Sequence, residues 1–319
     1  MKLIDYYDGR EDNVEIEEIG PAGAGYNAPI KVRVNGMLGF KKKSINCSTF
    51  DSFEYLISQL GKMLSIKVAD TYFFDDGSIF SKSIYEEGEE FITGGDILKY
   101  VTISEDEIKR IKEERKKFNE TLELVRVKDQ DKRIAKTPEE IDSVVKQYID
   151  IIDRLKVDNR DEIVKDYIRM CFLDVLTGNK DRVSGNYGLI KSGNDYSFAP
   201  SFDSSTIGYP GIDDNYVQLN HYLIDRKDLY NYLISNYYEC LSDIFDKDRK
   251  HIVDKMKSLL DVVFSREEDK SDKEWFDRMV IGQLDYYLNS VNSLFAEDEI
   301  SEAQAERMVE EDSTKSISW

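Results

Sequence analysis

Gly178 to Asp203 reads GNKDRVSGNYGLIKSGNDYSFAPSFD. Asp181 is followed five residues later by Asn186, and a second aspartate, Asp203, closes the stretch. Gly193-Asn194, between two short β-prone runs, predicts a hairpin turn that brings Asp203 back to the loop holding Asp181 and Asn186. Upstream, Ile163, Val164, Tyr167, Ile168, Cys171, Phe172, Val175 and Leu176 recur at helical spacing and predict an apolar helix ending at Thr177-Gly178. A base and two oxygen ligands then converge at the end of a packed helix. Phosphoryl transfer uses such a set: a carboxylate to accept the proton of the incoming hydroxyl, with Asn and Asp oxygens to hold magnesium on nucleotide phosphates.

The rest of the chain divides by periodicity. Residues 1–100 are mostly strand-like. Ile30–Val34 alternates, Asn35-Gly36 is a hairpin turn, and Met37–Lys41 returns. Further strands are predicted over Val68–Phe74 and Ser78–Ile84, around the turn Asp75-Asp76-Gly77. One helix interrupts them, with Phe53, Leu56, Ile57, Leu60 and Leu64 on its apolar face. From Ser104 the period becomes helical. Ser104 and Glu107 form a capping box, and Thr137-Pro138-Glu139-Glu140 is a second helix start. The polar run Arg126–Lys136 between them reads as a solvated loop. Later helices are expected over Leu229–Phe245, Ile252–Phe264 and Trp275–Phe295, with an acidic amphipathic end near Glu302–Glu311. The expected architecture is therefore α+β and bilobal, with a β-rich lobe over 1–100 and a mainly α-helical lobe over 101–319.

Composition narrows the partners. With 40% hydrophobic and 34% charged residues, 319 residues suffice for two packed lobes. The formal charge of −20 repels a phosphate backbone, so no nucleic-acid partner is expected. Cys47, Cys171 and Cys240 are far apart, which suits a reducing compartment better than a disulfide framework or zinc site. With no apolar leader and no run long enough to cross a bilayer, a cytoplasmic location is expected; a leaderless secreted effector has the same sequence features.

Other residues fit phosphate chemistry. The glycines Gly20, Gly23 and Gly25 could free backbone N–H groups for phosphates, or form a flexible turn. Lys41, the end of a strand and the first of three consecutive lysines, is the candidate phosphate-binding cation, and only one of the three needs to point inward. Glu54, at the border of the apolar helix face, is its candidate carboxylate partner. Arg182 is expected to pair with a carboxylate or phosphate, without a firm role. His221 and His251 are too isolated for an acid/base or metal constellation.

LTGNKDRVSGNYGLI followed by FAPSFDSS resembles the core of HipA-like serine/threonine kinases, in their compact branch. The resemblance is specific over Tyr167–Pro210 and collinear through the Gly-rich segment, Lys41 and Phe53-Glu54-Tyr55. It implies a bilobal kinase related to protein and phosphoinositide kinases, binding ATP and Mg2+ between the lobes. Asp181 is then the catalytic aspartate, Asn186 and Asp203 the magnesium ligands, and Lys41 the phosphate-binding lysine. The implied partner is a protein with a Ser or Thr acceptor, with this chain itself as one candidate. Two departures stand out. Val183 occupies a position where the family usually has His, and the chain starts almost at its Gly-rich segment, without the extra subdomain of the larger members. Alternative expectations are a lipid or small-molecule kinase and a nucleotide-binding pseudokinase or adaptor.

Overall fold

The computed structural model describes residues 1–22, 29–42, 48–127, 130–204, 213–265 and 270–289. Gly23, Gly25, Lys43, Cys47 and the acidic end over 302–311 lie outside them.

Seven short strands form one antiparallel sheet: β1 (Lys2–Asp5), β2 (Arg10–Asn13), β3 (Ile16–Pro21), β4 (Ile30–Val34), β5 (Met37–Lys42), β6 (Thr71–Phe74) and β7 (Ile79–Lys82). Their order is β2-β1-β6-β7-β5-β4-β3. Thus two strands precede the Gly-rich segment and extend the sheet, where the sequence suggested a start almost at that segment. The β4–β5 turn is the expected Asn35-Gly36, both residues at positive φ, as a tight hairpin demands. The sheet packs on two sides. Leu3, Val32, Val34, Phe74 and Phe80 form a small cluster on one face, whereas Phe73 and Ile79 join the main core on the other. Gly39 of β5 sits where a side-chain carbon would come within 2.3 Å of the Phe80 ring, so only glycine lets these strands close up. The helix α1 (Ser48–Met63) covers the main-core face and buries Phe53, Leu56, Ile57 and Leu60, as its spacing predicts.

The next strand, β8 (Glu90–Thr93), leaves this sheet and pairs with the later hairpin β11 (Gly188–Ser192) and β12 (Asp195–Phe198). A short 3-10 turn leads to α2 (Glu105–Thr121), capped by the Ser104 hydroxyl. The run expected as a loop, Arg126–Lys136, instead lies largely in the hairpin β9 (Glu123–Val127) and β10 (Gln130–Ala135). Its apolar side is thin, Val125 and Ile134 against Leu223, and its stability comes from parallel pairing of β10 with a strand almost ninety residues away. No local pattern reports such a pairing. The helix α3 (Pro138–Leu155) starts with a complete Thr137/Glu140 capping box, and α4 (Arg160–Thr177) is buried along most of its length. The hairpin β13 (Tyr216–Leu219) and β14 (Tyr222–Asp225) follows, then α5 (Arg226–Phe245), α6 (Arg249–Val263) and α7 (Lys270–Phe276). The last continues through a π-helical turn at Asp277–Ile281 and is helical again over 282–289. No helix among the described residues is long and apolar enough to cross a membrane.

Candidate functional site

The end of α4 sets the site. Gly178 adopts φ +67, ending the helix in the left-handed conformation that glycine tolerates best. Beside it, Arg226 donates to the carbonyls of Val175 and Leu176 at 3.0 and 3.1 Å, neutralising the exposed carbonyl end of the helix. Asn179 then bridges: its amide N–H reaches Asp174 Oδ1 at 2.8 Å and its oxygen accepts the Asp181 backbone N–H at 3.0 Å. This side-chain turn fixes where Asp181 leaves the helix.

Arg182 is the hub. It has no solvent exposure and grips Asp174 in two-point fashion, Nε to Oδ2 at 2.9 Å and Nη2 to Oδ1 at 2.8 Å. Its remaining donors reach the carbonyls of Asn186 and Phe202 at 2.7 and 3.0 Å and the hydroxyls of Ser201 and Ser204, both at 3.0 Å. One guanidinium therefore ties the helix end, the Asn186 turn and the segment carrying Asp203 to one another. Nothing local to Arg182 assigns it a firm role; the signal in the sequence is Asp174, eight residues earlier, on a helix face otherwise apolar.

Asp181, Asn186 and Asp203 converge around this hub. Asn186 donates its side-chain N–H to the Asp181 carbonyl at 2.9 Å, which leaves its own side-chain oxygen available. Val183 donates its backbone N–H to that same carbonyl at 2.8 Å, so the loop closes without a histidine there. Asp181 is half-buried. Burial pushes its carboxyl above the usual range and the negative charge of Asp203 adds to this, while Lys132 and Arg182 oppose. Asp203 is held at φ +51, an uncommon conformation for a residue with a side chain, and its carboxylate remains partly open to solvent. Lys132, on the unexpected hairpin, adds a cation near Asp181 and is held by Gln218 at 2.8 Å.

The lysine assignment changes. Lys42, not Lys41, meets Glu54: its ammonium lies 2.9 Å from both carboxylate oxygens and 3.4 Å from Asp203 Oδ1. Burial acts against the charged lysine, but Glu54 and Asp203 outweigh it and hold its pKa above the ordinary value. Burial pushes Glu54 upward, Lys42 opposes, and Asp203 adds to the rise. Lys41 points to the other face, 2.9 Å from Asp76 and above the Phe74 ring. Register is the cause: Lys41 pairs with Phe80 and Lys42 with Ile79, so the two lysines inherit opposite faces of the sheet. Glu54, expected at a helix border, is buried and faces the Lys42 side.

Of the glycines, Gly20 is described, at φ +150 beside an irregularity in β3. Pro21 pairs with Ile30 and Ile30 with Lys41, so the Gly-rich segment leaves the sheet at the end that carries Lys42.

The oxygen donors fit a magnesium ion. Among the described residues, Asn186 keeps its amide oxygen, and Asp203 has only the long contact to Lys42 on one oxygen. Magnesium takes oxygen ligands and commonly needs just one or two from the protein, the others coming from phosphate and water. Among the described residues there is no cluster of three or more carboxylate, imidazole or thiol groups able to hold a metal by itself.

A curled antiparallel sheet with one helix, set on a mainly helical body, is a bilobal kinase-like fold, and the converging side chains lie where sheet and body meet. Among solved structures, the chain is similar to the Helicobacter pylori proinflammatory kinase CtkA, with TM-score 0.59 and 17% identity, covering 88% of this chain and 96% of that one. It is also similar to HipA of Shewanella oneidensis MR-1, solved with HipB and operator DNA, with TM-score 0.52, 13% identity, and 87% and 67% of the two chains covered. The HipA/CtkA-like fold relationship expected from the motifs is thus seen in three dimensions. No family model matches the sequence, and no curated protein does.

Proposed function

We propose that the protein is an ATP- and Mg2+-dependent phosphotransferase acting on Ser or Thr hydroxyls of a protein, with its own chain among the candidate acceptors. The observation that carries this reading is the meeting of two separately built units: the Lys42–Glu54 pair from the sheet and α1, and the Asp181–Asn186–Asp203 set organised by Arg182. The two units come within 3.4 Å at Lys42 and Asp203.

Lys42, in place of Lys41, would hold nucleotide phosphates, and Glu54 would keep its ammonium aimed at them. Gly20, with Gly23 and Gly25, would cover the phosphates. Asn186 and Asp203 would hold magnesium, whose charge neutralises the phosphates when bound. Asp181 would accept a hydrogen bond from the acceptor hydroxyl and take its proton as the oxygen bonds to the γ-phosphorus and the bond from that phosphorus to the bridging oxygen breaks, ADP leaving. Its raised pKa suits a base. The change of strand partner between Lys82 and Glu90 supports a hinge there, ahead of the residue 100 boundary expected from periodicity. A cytoplasmic location remains part of the proposal.

The test is transfer of labelled γ-phosphate, with magnesium, to the chain itself and to a generic basic protein. Incorporation by the wild type that Asp181→Ala and Asp203→Ala both lose supports the reading. Full incorporation by Asp181→Ala would overturn the assigned base, and transfer to phosphoinositide vesicles alone would move the acceptor from protein to lipid.

A further inference from the structure

A cavity of about 260 Å³ lies against the far end of the Asn179–Asn186 loop and shares no lining residue with the Lys42–Glu54–Asp203 cluster. The loop contributes Ser184, the β8 end contributes Gly94 and Gly95, and the β13–β14 turn contributes Asn220 and His221. Helices α2 and α3 supply Arg115 and Tyr148. In a chain with 64 acidic residues and net charge −20, no carboxylate lines this cavity.

Two of its polar groups lack adequate partners among the described residues. Among these residues Arg115 makes one long hydrogen bond, Nη2 to the Gln147 carbonyl at 3.4 Å. Glu107 and Glu114 of its own helix are taken by Arg110 and Arg154. Tyr148 is 1% exposed, and its buried hydroxyl has no hydrogen-bond partner among the described residues. The ring cannot turn away to find one, because it is stacked on Tyr167 at 4.5 Å and meets Tyr187 edge-on at 5.1 Å. Other polar groups around the cavity are satisfied: the Tyr187 hydroxyl by Asn220, and the Tyr222 hydroxyl by Asn119 and Gln147. Among the described residues, a buried hydroxyl without a partner and a guanidinium with one long hydrogen bond lie on one carboxylate-free cavity, and they call for an acceptor from outside the chain.

We propose that this cavity binds the oxyanion of a small phosphate- or carboxylate-bearing molecule, with Arg115 as the charged contact and the Tyr148 hydroxyl as the buried donor. The volume admits a compact metabolite and excludes a folded partner. The cavity wall is joined to the loop: Gly94 N–H donates to the Tyr187 carbonyl at 2.8 Å, and a side-chain carbon on Gly95 would lie 3.1 Å from Ser184 Oγ. Occupancy therefore bears on the loop that carries Asp181. The inference does not depend on phosphoryl transfer, since binding is read without nucleotide.

The test uses the full chain without nucleotide or magnesium, titrated with sodium phosphate, acetate or chloride at matched ionic strength, by calorimetry and thermal unfolding. The expected result is binding of phosphate or acetate but not chloride, the two arms showing which oxyanion the cavity takes. Arg115→Gln should weaken binding by about tenfold or more and Tyr148→Phe by several-fold, as loss of charged and neutral hydrogen bonds does. Lys109→Gln, an exposed charge-matched control on α2, should change nothing. Lys42→Met and Asp181→Ala should retain binding, which separates this cavity from the phosphate-transfer site. No oxyanion binding by the wild type, or binding lost in Lys42→Met and kept in Tyr148→Phe, would overturn the proposal. Should Arg115→Gln fail to fold, Tyr148→Phe alone decides, since it preserves the aromatic stack.

Discussion

Two charged clusters meet at the base of the sheet, and they are built oppositely. Around Arg182 and Asp174 every donor of the guanidinium has a protein acceptor and both side chains are shut from water. Around Lys42, Glu54 and Asp203 the ammonium has, among the described residues, two close contacts and one long one, and the Asp203 carboxylate is partly exposed in a left-handed backbone conformation. A fully satisfied buried ion pair has no capacity left for a ligand; its worth lies in fixing geometry, and breaking it strands a charge. An incompletely satisfied cluster at a cleft keeps capacity for phosphate and metal. Satisfaction, rather than charge, separates the frame from the groups proposed to work.

That contrast can be broken by substitution. The largest effect is expected from Asp181→Asn, which should lower phosphate transfer by about 100-fold or more while leaving nucleotide-induced thermal stabilisation close to wild type. Loss of both together would assign Asp181 to the frame. Arg182→Met should leave Asp174 buried and unpaired and cost roughly 3–5 kcal/mol, read as a lower midpoint in denaturant unfolding. A loss below about 1 kcal/mol would mean that the hub is dispensable. Lys42→Met should remove most nucleotide-dependent stabilisation and turnover, whereas Lys41→Met should change either by less than about twofold, as expected for a surface pair; the reverse order would restore Lys41 as the phosphate-binding residue.

The smallest effect concerns the outer face. Burial pushes the Asp76 carboxyl upward, but Ser78 and Lys41 outweigh it and hold its pKa at about 2, below the ordinary aspartate value. A depressed folded-state pKa gives stability that is present above the unfolded value and lost as pH falls through the folded one. The stability difference between wild type and Asp76→Asn should therefore be small, constant above about pH 5, and vanish toward pH 2. A difference that grows on acidification would contradict the pairing.

How much of this was legible in the chain depends on how local each feature is. The loop order Asp181, Asn186, Asp203, the Gly193 hairpin and the apolar α4 were readable because each is encoded within a few residues of itself. The partner of Glu54 is expected at Lys41 and is found one residue on, at Lys42, and one residue in a strand is a change of face. Alternation at Ile30, Val32 and Val34 separates the two lysines but does not say which face α1 covers; Val32 and Val34 in fact pack in the smaller outer cluster. The β9–β10 hairpin reads as a loop in the sequence because its partner β14 is distant and its apolar side nearly empty.

The sequence by itself determined the period of each helix, the caps, the tight turns and the set of side chains capable of phosphate chemistry. These depend on backbone preferences and neighbours three to five residues away. The tertiary structure decided which lysine meets Glu54, that Arg182 binds Asp174 and the segments carrying Asn186 and Asp203 together, and that Arg115 and Tyr148 line one cavity. Each of these joins groups from separate elements, and the desolvation that makes such a pairing matter exists only once the elements have packed.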